Sequence, residues 1–222
     1  MGLTVAALGI KPHTGWAAYV VLAGQPDALE ILSRGRIELL PSDGSIPRHM
    51  YHDASNLSDA AANQLISRAK LAAKALVDAW LDTLLDDLRS QRAQLRTGAV
   101  ITSNNAAGDT ALSAILRSHP LIHAWEGKLF QDVCVQGCVA KEIPAVRIPE
   151  REVWNAASNT MRRRVDAIKK EIDDLRKTVG APWGSDQKLA SAAAAAALGA
   201  YDPGSVPRQG PLSARGNIRS VR

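Results

Sequence analysis

The 222-residue sequence predicts an α/β fold: a five-stranded mixed sheet flanked by helices in the order βββαβαβα, one of the helices being very long. Three strand-length apolar segments follow one another in the first 40 residues, joined by short polar connections. A long stretch with helical periodicity comes next, and short strands then alternate with helices, the pattern of parallel strands joined by right-handed crossovers. Hydrophobic residues make up 46% of the chain but aromatic ones only 4%, so the core is expected to consist of Ala, Leu, Val and Ile, which suits helices lying close on a sheet.

Residues 3–10 (LTVAALGI) and 14–23 (TGWAAYVVLA) read as the first two strands. Residues 28–40 (ALEILSRGRIELL) alternate apolar with polar at Ile37, Glu38 and Leu39 and complete an antiparallel meander. Residues 41–55 read as a polar loop carrying His49, Tyr51 and His52. A helix is predicted over about 57–96, burying Leu65, Ala69, Ala72, Leu76, Trp80, Leu84 and Leu88 and stopped by Gly98. Residues 99–103 (AVITS) form the fourth strand, which ends in Asn104, Asn105 and a Gly108-Asp109 turn. Ser118-His119-Pro120 opens a helix to about residue 141, with proline in the tolerated first turn. Residues 145–149 (AVRIP) form the fifth strand. A short helix to about residue 157, a charged helix over 160–178 capped by Ser158 or Asn159, and an Ala-rich closing helix over 186–200 follow. There is no internal repeat.

One folded domain is expected over residues 1–202 and a disordered basic tail over 203–222. Of the net charge of +5, four units come from Arg208, Arg215, Arg219 and Arg222 in that acid-free tail, leaving +1 on the rest. The tail reads either as a solubilising end or as an arm for a phosphate backbone. The low aromatic content argues against a broad stacking platform for single strands. The start has no basic segment ahead of its apolar run, and no run is long enough to cross a bilayer, so no signal peptide and no membrane partner are expected. Cys134 and Cys138 stand four apart on one helix face and read as small buried thiols in a reducing cytoplasm rather than as a disulfide or metal ligands.

Two motifs resemble a known family. LGIKPHTGWAAYVV (residues 8–21) resembles the opening hairpin of RuvC-type resolvases of the ribonuclease H-like superfamily, in which an aspartate follows the strand and TGW or TGY opens the next. SDQKLASAAAAAA (residues 185–197) resembles the closing helix of that family, which carries acids at its start before small residues. The resemblance implies a ribonuclease H-like fold and places Asp186 where the family has a metal-binding acid. It also implies an altered acidic cluster: Lys11 stands at the first-strand acid, Asn104 or Asn105 at the fourth-strand acid, and Leu189 or Ala190 at a second acid of the last helix. Two-metal phosphodiester cleavage needs several converging carboxylates, and a lysine among them repels the cations. Glu126 and Glu150 are the available substitutes. The segments SHPLIHAWEG, RIPEREVW and PWGSDQKLA also resemble a group of uncharacterised bacterial proteins and imply no function.

Sites on open sheets lie at the carboxyl ends of the parallel strands. The predicted topology brings to that edge Lys11 and His13 from the loop after strand one, His49 and His52 after strand three, Asn104 and Asn105 after strand four, His119 and His123 on the next helix, and Glu150 after strand five. Glu126 shares a helix face with Ile122, Leu129 and Val133, so its carboxylate needs a partner or a cleft. His119, His123 and Glu126 stand at i, i+4 and i+7, one face that could hold a metal or a phosphate, or carry only a capping His and an ion-paired Glu. Asp186 is also favoured simply by the helix dipole, and Lys188 reaches either a phosphate or solvent. Arg162, Arg163 and Arg164, followed by Asp166, Glu171, Asp173 and Asp174, read as a solvated charged face rather than a nucleic-acid stripe.

These residues favour a non-catalytic module that binds nucleic acid or a protein through its rim, with His49, His52, Asn104, Asn105 and the tail arginines as binding residues and no cofactor. The alternative is a diverged nuclease or phosphoryl-transfer enzyme, with magnesium or manganese as its possible cofactor. Its site would comprise Lys11, His13, His119, His123, Glu126, Asp186 and Lys188, with His as general acid or base and Lys as charge stabiliser. An actin-like phosphotransferase is disfavoured, because neither a second phosphate loop nor a duplicated domain is present.

Overall fold

The computed structural model describes residues 2–103 and 110–202; Asn104, Asn105, the Gly108-Asp109 turn and the four tail arginines lie outside them. The strands are β1 (Thr4–His13), β2 (Trp16–Gln25), β3 (Ala28–Glu38), β4 (Ala93–Thr102) and β5 (Ala145–Pro149). They line up as β3-β2-β1-β4-β5; β2 runs antiparallel to both neighbours, and β1, β4 and β5 run parallel. A meander followed by two parallel strands added on the far side of β1 is the ribonuclease H-like arrangement.

The helices are α1 (Met50–Ala54), α2 (Asp59–Ser90), α3 (Leu112–Ile115), α4 (His119–Ala140), α5 (Val153–Met161), α6 (Val165–Asp174), α7 (Arg176–Val179) and α8 (Ser185–Ala200). Alternation along β1 divides the core into two layers. Leu8 and Ile10 face one way, onto Val77 and Leu81 of α2 and Phe130 and Val133 of α4. Ala7 faces the other way, onto Val153 of α5, Ile168 and Ile172 of α6 and the buried alanines of α8. The alanine run lets α8 lie almost on the sheet: a Cβ on Gly9 would stand 1.9 Å from the carbonyl oxygen of Ala190 and 2.7 Å from the amide nitrogen of Ala194.

Several element boundaries differ from the sequence expectation. The first strand does not stop at residue 10 but carries on through Lys11, Pro12 and His13. The loop over 41–55 contains α1. The long helix begins at Asp59, with the Ser58 side chain accepting from the Ala61 amide, and ends at Ser90 rather than near residue 96. Arg92 then turns the chain with φ at +55°, and β4 starts at Ala93, so Gly98 lies inside a strand and stops no helix. The buried stripe of α2 is Ala62, Ala69, Ala73, Val77, Leu81, Leu84 and Leu88; Leu65, Ala72, Leu76 and Trp80 lie at its edges, half-buried. Leu81→Ala is therefore expected to cost about 2–5 kcal/mol and Leu76→Ala clearly less, as measured by urea melts. The charged segment is broken by Arg162, at φ +54°, and its helix starts after Arg164, not at Ser158 or Asn159.

Candidate functional site

The sheet places the sequence-derived site residues in two groups, one on each face. On the α8 face, β1 and β2 are joined by the tight turn Thr14-Gly15, with Gly15 at φ +82°, so that His13 pairs with Trp16 and Lys11 with Ala18. β4 pairs with β1 only as far as Ile10, so Pro12 sits where one edge of the strand is free. Lys11 and His13 share the face of Gly9, toward α8. The Lys11 ammonium is ion-paired with the Glu150 carboxylate, in the single turn that follows β5. Its partner is thus Glu150.

His13 has another neighbour. Its ring stacks on Trp16 at 4.2 Å between centres and 11° between planes, and the Arg36 guanidinium stands 4.3 Å from the same indole. Because β2 lies between β1 and β3, Trp16 stands between the two. The Oδ2 of Asp186, in the first turn of α8, is 3.2 Å from His13 Nε2. That separation suits a charge pair, but the direction is wrong for a hydrogen bond, and His13 Nε2 has no hydrogen-bond partner among the described residues. Lys188 turns aside to Asp173, with Nζ 2.7 Å from Oδ1. In the arginine run, Arg164 pairs with Asp166, and Arg163 pairs with Glu171 and donates to the Pro26 carbonyl oxygen, which ties the helix to the β2–β3 turn.

On the opposite face, Glu126 is buried on α4 beside Ile122 and Leu129, with 3% of its side chain exposed. A carboxylate so placed needs donors. The backbone N–H of Tyr51 donates to Oε1 at 3.2 Å, His52 Nδ1 lies 3.3 Å from the same oxygen, and His49 Nδ1 lies 3.5 Å from Oε2. The unexpected helix α1 explains the cluster, since it delivers both His52 and the Tyr51 amide to α4. His119 and His123, one turn apart on α4, bring their Nε2 atoms to 3.2 Å from each other, next to His52. Four of the five histidines thus gather around Glu126, while the fifth, His13, belongs to the α8 face.

Tyr51 is buried here, and burial first, then the charges of Asp132 and Glu126, pushes its phenol up to about 12. Its folded value lies above the unfolded one of 10, so the stability it contributes is complete below pH 10 and is lost as the pH rises toward 12. Thermal melts across that range are expected to fall more steeply for the wild type than for Tyr51→Phe. Burial likewise raises both cysteine thiols, Cys138 to about 12, which leaves them inert.

Trp16 and Arg36 are the site residues the sequence reading missed. The signal for Trp16 was present: a two-residue turn between strands puts it directly across from His13. Arg36 depends on the register of β3, which no local motif specifies.

No family model and no curated protein matches the chain. Among solved structures it is similar to one described as the Thermus thermophilus RuvC structure, at 13% identity and TM-score 0.48, covering 86% of this chain and 92% of that one. It is also similar to T. thermophilus RuvC in complex with Holliday junction substrate, at 14% identity and TM-score 0.48, covering 86% and 91%. Likenesses of that depth say nothing about which residues react. Among the described residues no helix is long and apolar enough to cross a membrane.

Proposed function

We propose that the protein is a nucleic-acid-binding module that keeps a nuclease-type fold without two-metal cleavage. The observation that carries this reading is the Lys11–Glu150 ion pair. The magnesium or manganese pair that the fold family implies needs carboxylates free to converge on cations about 4 Å apart. At the end of β1 an ammonium occupies that place and takes up the charge of Glu150, while Asp186 is turned toward His13. These residues do not fit two divalent ions.

Binding is supported by the neighbouring stack of His13, Trp16 and Arg36, which gathers two aromatic rings and a guanidinium at one place on the sheet. With His13 on one side of the indole and Arg36, itself ion-paired with Glu38, on the other, an unstacked base reaches Trp16 by displacing the guanidinium, which then meets the phosphate; such stacking is worth about 1–3 kcal/mol per base. The test is fluorescence anisotropy with duplex, single-stranded and branched DNA at low salt. Trp16→Ala is expected to weaken binding to unpaired regions about 5- to 100-fold, the equivalent of that stacking energy. Binding to none of the three at low salt contradicts the reading and leaves a protein partner for the rim. Deleting residues 203–222, with their four arginines, is expected to lower the salt slope by up to about four units. An unchanged slope assigns all the phosphate contacts to the folded part.

A further inference from the structure

The cluster around Glu126 is not used by that function and has its own geometry. His119 Nε2 and His123 Nε2 are 3.2 Å apart. The His52 ring centre lies 5.4 Å from that of His119 and 4.7 Å from that of His123, with the planes at 80° and 65°, so the rings are steeply inclined to one another and not stacked. One nitrogen of each lies within 4.8 Å of one nitrogen of the others. In a tetrahedral site with metal–nitrogen bonds of about 2.0–2.1 Å, ligand nitrogens stand about 3.3 Å apart, close to the His119–His123 spacing.

Glu126 supplies the second part. Its Oε1, 3.3 Å from His52 Nδ1, is an acceptor that keeps the proton on Nδ1 and leaves Nε2 of His52 with a lone pair. A buried carboxylate behind a histidine ligand is the usual outer-shell support of a metal site, fixing tautomer and orientation. Glu126 is itself fixed by the Tyr51 amide, and the two residues that bring the remaining imidazoles, His119 and His123, are exposed at the surface. Three imidazoles without thiolates suit zinc and its neighbours in the transition series, not magnesium.

We propose that His52, His119 and His123 hold one divalent transition-metal ion of the zinc class, positioned by Glu126. The site is independent of nucleic-acid binding on the α8 face, so either assignment can fail alone.

The experiment is a zinc titration of the full chain, stripped with a chelator, against a chromophoric competitor, together with cobalt substitution read by visible absorption. One equivalent of zinc with submicromolar affinity is expected, along with the d–d bands of tetrahedral cobalt. His119→Ala and His123→Ala, both surface changes, should melt like the stripped wild type and lose the cobalt bands. Glu126→Gln should keep the bands and weaken zinc binding about 10- to 100-fold. His49→Ala should leave the stoichiometry unchanged. The proposal is overturned if the wild type binds zinc no more tightly than micromolar. It is equally overturned if binding survives the loss of His119 and His123 together, or if Glu126→Gln abolishes the bands, which would make the carboxylate a direct ligand with His49 and His52.

Discussion

Gly9→Ala is expected to be the most damaging single substitution in the sheet, lowering stability by about 3 kcal/mol or more in urea melts. The new methyl would be placed 1.9 Å from the Ala190 carbonyl oxygen and 2.7 Å from the Ala194 nitrogen. Both atoms are main chain, so no rotamer change can clear the space; α8 as a whole must lift off the sheet. Overpacking a core typically costs about 1–3 kcal/mol, and a clash with backbone belongs at or above the top of that range. The displacement would also unseat the buried alanines of α8 from Ala7 and Val20 and carry Asp186 away from His13. A loss below about 1 kcal/mol would mean that α8 does not lie against β1 at this depth.

The second large effect is expected from Lys11→Asp. Without divalent metal the new carboxylate faces Glu150 in place of the ammonium, and the variant should melt well below the wild type, because a paired charge is replaced by like charges. Magnesium or manganese should then recover the loss, since a ligand that binds only the folded state stabilises by about 2.7 kcal/mol at a hundred times its Kd. In the same background Glu150→Gln should remove the metal response. The wild type should gain little from either ion, and the imidazole cluster on the other face does not alter this, as magnesium and manganese are the poorest ions for nitrogen ligands. A strong manganese response in the wild type would contradict the ion-paired reading of the β1 end.

The strand order was legible in the sequence because each short element carries its own punctuation. Pro149 closes β5, Ser118 and Pro120 open α4, and the alanine run marks α8 as a helix that packs closely. The end of α2 was not legible, for a physical reason. Leu88, Ala93 and Leu95 continue an apolar spacing that a helix and an alternating strand can share, and the turn between them has no glycine or proline. Arg92 makes that turn in a left-handed conformation that its residue type does not advertise.

The topology read from the sequence assigned all five histidines to one edge of the sheet and gave no division between faces, whereas His13 is apart from the four around Glu126. Ending strand one at residue 10 left Lys11 and His13 without a facing, whereas their place inside β1 turns both toward α8. Glu126 was recognisable as a carboxylate on an apolar stripe. Its histidine partners were not, because α1 is a five-residue helix without a side-chain cap or an amphipathic pattern of useful length.

The most direct measurement is a single-turnover assay with the protein in excess over labelled branched DNA in millimolar manganese, with the strands resolved on a denaturing gel. The Lys11–Glu150 pair predicts that the DNA is bound and stays intact, with the same strand pattern as in chelator. Manganese-dependent scission by the wild type, lost in both Glu150→Gln and Asp186→Asn, would contradict the account and establish that these carboxylates hold metal despite the lysine.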